Sequence, residues 1–372
     1  MVEIKTSRCG ILPSQALRDL IASGEIQSED PLLPEQVQPA SLDLQLGGKA
    51  YRIRASFLPG PERSVAQRIE EMAMHEFDLT KGAVLETGCV YIVPLQERLA
   101  LSPSIAGMAN PKSSTGRLNV FTRLIVDRSG EFDVVPAGYH GPLYAEIAPN
   151  AFSIVVHKGT RLNQLRLRRG TPDVEDKALE KLHEEVGLLG DEAAAQIRKG
   201  LLFTVDLNAE GKRPVGFRAK RHTGVIDLQK IAHYDPRDFW EPLAGSTRRE
   251  LILDPNEFYI LASRESVRIP PSYAAEMIPY DTQMGEFRVH YAGFFDPGFG
   301  WKADGAGTRA VLEVRSHEVP FVLEHGQAVG RLRYERLAAE PDQLYGAAIG
   351  SSYHDQGLTL SKHFQPWEAS GP

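Results

Sequence analysis

Cysteine is nearly absent. The 372 residues include two, Cys9 and Cys89, and neither forms a Cys-x-x-Cys pair, which excludes a disulfide framework and the usual zinc-ligand spacings. A reducing, cytoplasmic setting is the default for such a chain. No apolar run reaches the ~18 residues that a membrane-spanning helix needs. The stretch from Met1 to Pro13 lacks an apolar h-region, so no secretory signal is expected there. An excess of positive charge is missing too: 42 Lys and Arg stand against 49 Asp and Glu, a formal net charge of −7. That argues against a general nucleic-acid binder, which carries a basic face. It leaves room for a small polyanion, because a phosphate site needs only a few local donors.

The composition, 42% hydrophobic and 24% charged, is that of a globular protein of about two domains. An internal repeat organises it. Residues Val84–Pro111 (VLETGCVYIVPLQERLALSPSIAGMANP) align without a gap on Ile252–Pro279 (ILDPNEFYILASRESVRIPPSYAAEMIP) at an offset of 168. Tyr91 falls on Tyr259, Glu97 on Glu265, Pro103 on Pro271 and Pro111 on Pro279. A second block at an offset of 167 places Glu146 on Glu313, Gly159 on Gly326 and Leu165 on Leu332. A weaker third match pairs SLDLQ around Asp43 with VIDLQ around Asp227. Shared β-prone residues would explain the apolar matches alone; paired prolines and glycines at fixed distances mark shared turns.

Short β-prone runs broken by Pro and Gly predict a mainly β protein, two sandwich- or barrel-like domains with a few helices. Residues 151–156 and 161–167 look like the arms of a hairpin turning at Lys158-Gly159. Ser14–Ser23 has helical spacing with Ser14 as N-cap, and Pro172–Lys199 suits a solvated helical connector. The expected organisation is a catalytic first half at 1–170, a connector at 171–200, a second half at 201–340 and a C-terminal lid at 341–372.

Chemistry concentrates in the first half. Asn110-Pro-Lys-Ser-Ser-Thr-Gly-Arg117 packs Lys112, Ser113, Ser114 and Arg117 into six positions, two hydroxyls and two cations suited to phosphate oxygens or, equally, to a solvated turn. The arginines Arg161, Arg166, Arg168 and Arg169 read as a solvated strand face. His157 reads as a surface residue of the hairpin, and Trp240, Trp301 and Trp367 as packing residues.

The order that follows Arg117 is Asp133, Gly138-Tyr139-His140-Gly141, Leu143-Tyr144-Ala145-Glu146, Lys158-Gly159 and Gln164. It resembles the dUTPase and dCTP deaminase superfamily, and more closely its dCTP deaminases, whose phosphate motif is basic-Ser-Ser-x-x-Arg. Gln38-Pro-Ala-Ser-Leu-Asp-Leu44 with Leu46-Gly47 resembles the family's N-terminal strand. Tyr345 and Tyr353-His-Asp-Gln356-Gly357 with Ser361 resemble its lid. Together these cover most of 1–168 and about 345–362.

The resemblance implies a dUTPase-like fold in two copies and conversion of dCTP to dUTP and ammonia. It makes Glu146 the catalytic glutamate, with Arg117 and Ser113 positioning water and base. Lys112, Ser113 and Ser114 would bind phosphate, Asp133 and Gln164 would line the nucleoside pocket, and Tyr345, Tyr353 and Gln356 would close the lid. It further implies Mg²⁺ carried by the triphosphate, and a homo-oligomer, trimeric or hexamer-like, with sites between protomers. Lys112 stands where the family commonly has arginine, and Ser352 where it has lysine.

The zinc route of nucleobase deaminases needs a Pro-Cys-x-x-Cys pair, which is missing, so a carboxylate would move the proton. In the second half Lys112-Ser-Ser-Thr-Gly-Arg117 becomes Tyr280-Asp-Thr-Gln-Met-Gly285 and Gln164 becomes Arg331, so Glu313 reads as a remnant. Alternatives are a dUTP pyrophosphatase, an enzyme that both deaminates dCTP and hydrolyses dUTP, and a non-catalytic nucleotide-binding regulator.

Overall fold

A computed structural model describes residues 9–190, 195–208, 213–279, 287–289, 293–302, 304–316, 318–346 and 357–367. The chain is mainly β, and the two halves repeat one sheet plan. In the first half, Val90–Ala100 lies between Lys49–Ile53 and His140–Pro149, with Ala73–Asp78 and Val120–Val126 at the edges. A facing sheet centres on Arg161–Arg169, flanked by Ile105–Pro111 on one side and by Gly10–Ile11 and Leu42–Gln45 on the other. The second half repeats the first sheet as Trp240–Leu243, Gly216–Ala219, Phe258–Val267, Thr308–Ser316 and Phe287–Val289. It repeats the facing sheet as Leu201–Thr204, Ala328–Arg336, Tyr273–Pro279 and Phe294–Phe295.

The matched residues hold matched positions. The Tyr91 hydroxyl accepts the Glu86 N–H at 3.0 Å and the Tyr259 hydroxyl accepts the Asp254 N–H at 2.9 Å, closing the same turn twice. Gly159 (φ +85°) and Gly326 (φ +79°) turn in the left-handed region, which costs glycine no steric penalty. Glu146 pairs across its sheet with Ile92, and Glu313 with Ile260. The weak third match does not hold. Asp43 sits opposite Gln164, whereas opposite Arg331, the counterpart of Gln164, stands Leu202; Asp227 is elsewhere, on a strand beside Val155.

Other local expectations change. The turn at Lys158-Gly159 exists, but Ile154–Val156 pairs with Ala83–Leu85 while Arg161–Arg169 joins another sheet, so no hairpin forms. His157 is half-buried there, its Nδ1 3.9 Å from Asp227. The first helix runs Ser14–Ala22 with Pro13 at its N-cap; buried Ser14 instead donates its hydroxyl proton to Asp342 Oδ1. Of 172–199, only Asp176–Val186 is helical among the described residues, and Leu179 and Leu182 are buried in the second-half core, so it is not a solvated linker.

The halves are fused by a shared core. Phe217, Ala219, Phe258, Ile260 and Val311 of the second half join the cluster built on Leu118, Phe152 and Ile154 of the first. Trp240, fully buried, touches Phe152, Phe258 and Phe364. Trp367 packs on Phe217, and Trp301 lies under Arg268.

The arginine cluster is not simply a solvated face. Arg166 is 1% exposed and reaches Glu335 at 3.0 Å and Asp296 at 3.6 Å across the junction, with its guanidinium over Phe294. Removing one member of a buried charge set strands the others, at a cost of about 3–5 kcal/mol. Arg166→Met is therefore expected to lower the unfolding free energy by about that amount, read as a lower urea midpoint; an unchanged midpoint would show the set contributes nothing to stability.

Candidate active site

The strand Ile105–Pro111 runs into the short helix Ser113–Gly116. The Lys112 N–H and the Thr115 hydroxyl both donate to the Leu162 carbonyl, at 2.8 and 3.1 Å, and so pin this turn to the Arg161–Arg169 strand. Lys112, Ser113 and Ser114 thereby face a cavity of about 610 Å³ that Lys158, Arg161, Gln164, Tyr345 and Lys362 also line. Its cations, Lys112, Lys158, Arg161 and Lys362, outnumber its carboxylates, Glu35, Asp43 and Asp296. Buried Asp43 holds the Lys112 ammonium, and Lys158 reaches Asp30 at 2.9 Å. A polar, cationic cavity with hydroxyls on a turn suits a phosphate chain.

A smaller chamber of about 40 Å³ shares Ser113, Phe294, Asp296 and Tyr345 with the large cavity and adds Arg117, Phe295, Phe299, Val311 and Glu313. It has room for a water molecule. Ser113 and Arg117 come from the first half, and the other walls come from beyond residue 293. Arg117 and Glu313 are 3% and 4% exposed, so the chamber sets a buried guanidinium and a buried carboxylate beside the half-buried Ser113 hydroxyl. Burial pushes the Asp296 carboxyl up, and Arg166 pulls against that shift.

The C-terminal segment closes one side. Arg117 Nη1 donates to the Thr359 carbonyl at 2.9 Å, and the Ser361 hydroxyl donates to the Ser114 carbonyl at 2.9 Å. Leu360 and Phe364 are buried in the shared core, and the Ala232 and His233 N–H groups donate to the carbonyls of Lys362 and His363. The stretch 357–367 is thus fastened beside the cradle and directs Lys362 into the cavity.

Of the residues expected at the site, Lys112, Ser113, Ser114, Arg117, Gln164 and Tyr345 meet at these two cavities. Glu146 and Asp133 line neither. Glu146 is buried on the opposite face of its sheet from the first-half core, ion-paired with Arg123, whose guanidinium lies over Phe121 and Phe132. Asp133 Oδ1 accepts the Leu124 N–H at 2.7 Å, and burial lifts that carboxyl to about 7. Tyr353 and Gln356 lie outside the described residues. Sequence reasoning set aside Arg161 and Glu313 and gave no site role to Asp296 or Lys362. One signal was available: the acidic turn Asp296-Pro-Gly-Phe299 precedes the strand glutamate Glu313, as Asp133 precedes Glu146 in the first half. Among the described residues no group of three or more His, Cys, Asp or Glu side chains could hold a metal ion.

Burial, reinforced by the Lys362 charge, holds the His363 imidazole down at about 4, and its ring meets the Ser361 hydroxyl at 2.9 Å. The folded state thus favours the neutral ring. That contribution to docking is complete above the ordinary histidine value of ~6.5 and is lost as pH falls through about 4. Hydrogen exchange at 357–367, corrected for intrinsic pH dependence, should quicken across this window relative to the rest of the chain, and His363→Gln should flatten the trend. Equal trends in both proteins would remove His363 as the cause.

Comparison with known proteins agrees with the two-half plan. Residues 8–171 match the N-terminal domain and residues 175–364 the C-terminal domain of the family described as 2'-deoxycytidine 5'-triphosphate deaminase. A protein of Salinispora tropica named "dCTP deaminase, dUMP-forming" is 27% identical over 191 residues, covering 48% of this chain and 96% of that protein. A "dCTP deaminase" of Pyrobaculum islandicum is 30% identical over 163 residues, 42% of this chain and 83% of that protein. A crystal structure of 2'-deoxycytidine 5'-triphosphate deaminase from Agrobacterium tumefaciens is 55% identical, with a TM-score of 0.86, covering 90% of this chain and all of that one. No helix among the described residues is long and apolar enough to cross a membrane. With both family domains matched end to end over the two structural halves, the chain belongs to the dCTP deaminase family.

Proposed function

We propose that the chain deaminates dCTP hydrolytically, replacing the 4-amino group of cytosine by oxygen and releasing ammonia, with Glu313 as the proton-moving group. The observation that carries this reading is the chamber where Ser113, Arg117 and Glu313 meet beside a cationic cavity. The triphosphate lies along Lys112, Ser113, Ser114, Arg161 and Lys362, with Mg²⁺ entering as part of the nucleotide. The base lies in the large cavity at the wall it shares with the chamber, Phe294 and Asp296, so that C4 faces the water-sized space beside Glu313. Water adds across C4 and N3, with Glu313 taking one water proton and giving it to N3; Glu313 then carries the remaining hydroxyl proton to the departing nitrogen, so that C4 keeps the oxygen as a carbonyl and ammonia leaves. Arg117 and Ser113 orient the water and stabilise the charge that develops on the oxygen. Atoms balance as dCTP plus water giving dUTP plus ammonia. The chain's two cysteines form no deaminase zinc motif, which supports a zinc-independent route.

Glu146→Gln keeps the hydrogen-bonding shape beside Arg123, so turnover should stay within a few-fold of wild type. Glu313→Gln should lower kcat by about two orders of magnitude or more while nucleotide binding is kept. The opposite pattern would return the role to Glu146.

A second reading concerns the product. Several relatives carry the name "dUMP-forming", which favours following deamination with phosphate cleavage at the same cradle. Chromatography of a dCTP reaction separates the outcomes: dUTP with ammonia supports deamination alone, dUMP with pyrophosphate supports the coupled reaction, and no turnover supports a binding protein. A zinc-selective chelator should leave the rate unchanged, whereas loss of zinc together with activity would sink the carboxylate mechanism.

A further inference from the structure

The two halves share one connection and use it differently. In the first half residues 54–72 join the paired strands Lys49–Ile53 and Ala73–Asp78; in the second, residues 220–239 join the equivalent pair Gly216–Ala219 and Trp240–Leu243. The second-half connection crosses to the first half. Its Ile226 pairs in parallel with Ile154, and its Phe239 meets Phe152. Beneath that crossing, the sheet face bearing Phe217, Ile260 and Val311 is buried on the first half, and this burial carries Glu313 to Arg117.

The first-half connection folds back on its own sheet. The equivalent face carries Ile53, Ile92 and Tyr144, and it is covered by Phe57, Val65 and Ile69 of the connection itself. The cover is fastened down. Ser64 caps the helix Val65–Met72, the Val65 N–H donates to Asp127 Oδ1 at 2.7 Å, and the Arg128 N–H donates to the Arg63 carbonyl at 3.1 Å. Glu146, at the position equivalent to Glu313, consequently meets Arg123 rather than a phosphate cradle.

We infer that residues 54–72 occupy the place a neighbouring half would take, so that head-to-tail packing of halves stops at the first half and each chain carries one active site built wholly from its own residues. A second cradle cannot reach Glu146 unless 54–72 is displaced. At the other end, Phe321–Glu324, the counterpart of Ile154–Val156, pairs with Glu250–Leu253 and has no described strand equivalent to Ile226–Asp227 on its other edge. Val322 there is 48% exposed and Ile252 57%. The inference rests on the site reading above, and it separates this chain from an assembly whose sites form between protomers.

Complementation tests it. Arg117→Ala and Glu313→Gln damage opposite walls of the chamber. If sites form between chains, co-expressing the two variants restores some intact sites; if each site lies within one chain, none is restored. The expected result is that both single variants are inactive and that the co-purified mixture turns over dCTP no faster than either. Recovery of more than about ten-fold above the parents would overturn the inference while keeping the site reading. An active single variant would instead overturn the site reading. As a second measurement on the wild-type protein, turnover per chain should stay constant on dilution, with mass measured at each concentration; a rate that falls in step with dissociation would show a shared site. Titration with a non-hydrolysed nucleotude analogue of dCTP should count one site per chain, and two would overturn the inference.

Discussion

Phe217, Ala219, Ile260 and Val311 form an apolar face on a sheet whose other side already builds the second-half core, so this face too must be removed from water. Burying a Phe, Ile or Val side chain contributes roughly 1.5–3 kcal/mol, and Phe217, Ile260 and Val311 acting together with the smaller Ala219 set where the halves meet. Because successive residues of a strand point to opposite faces, Glu313 shares the face of Val311 two positions away. Hydrophobic burial therefore delivers a carboxylate to the Arg117 side of the junction as a consequence of strand geometry. The site is a by-product of the interface, and it depends on that interface keeping its register.

Charge at the junction follows the same logic. A desolvated carboxylate or guanidinium is costly unless paired. Arg166 answers this by lying between Glu335 and Asp296 while its flat face covers Phe294. Asp296 and Phe294 both line the two cavities. The network that makes the junction tolerable thus also positions the walls that a ligand would touch, and stability and binding geometry share the same side chains.

The repeat was legible because its markers are local: a tyrosine hydroxyl closing a turn five residues back, and a glycine in a left-handed turn. The turn from Lys112 to Arg117 that lines the large cavity was legible for the same reason, being a contiguous run. What could not be read is which glutamate meets the cradle. Glu146 and Glu313 occupy equivalent strand positions, and the difference lies in what covers each face, set by residues 54–72 and 220–239, whose destinations no local pattern encodes. The Lys158-Gly159 turn misled similarly: its glycine marks a reversal but does not say whether the arms pair or enter different sheets. Arg166 looked solvated because its acidic partners lie far along the chain, at Asp296 and Glu335.

Duplication gives each half freedom to keep only part of a site. A first half joined to a second needs to preserve the cradle on its outgoing side, and its own strand glutamate can settle into an ion pair. The second half needs the acidic turn and glutamate on its incoming side, and the run from Tyr280 to Gly285 has no requirement to remain a cradle. The asymmetry is therefore one of position and of sequence: the second half has lost the Lys112–Arg117 run, and the first half keeps Glu146 but pairs it with Arg123. A lone copy of either half would lose the junction at which Arg117 and Glu313 line one chamber, whereas covalent linkage keeps the two halves at a fixed high effective concentration. The sequence asymmetry between the halves is then a record of which side of the junction each one faces.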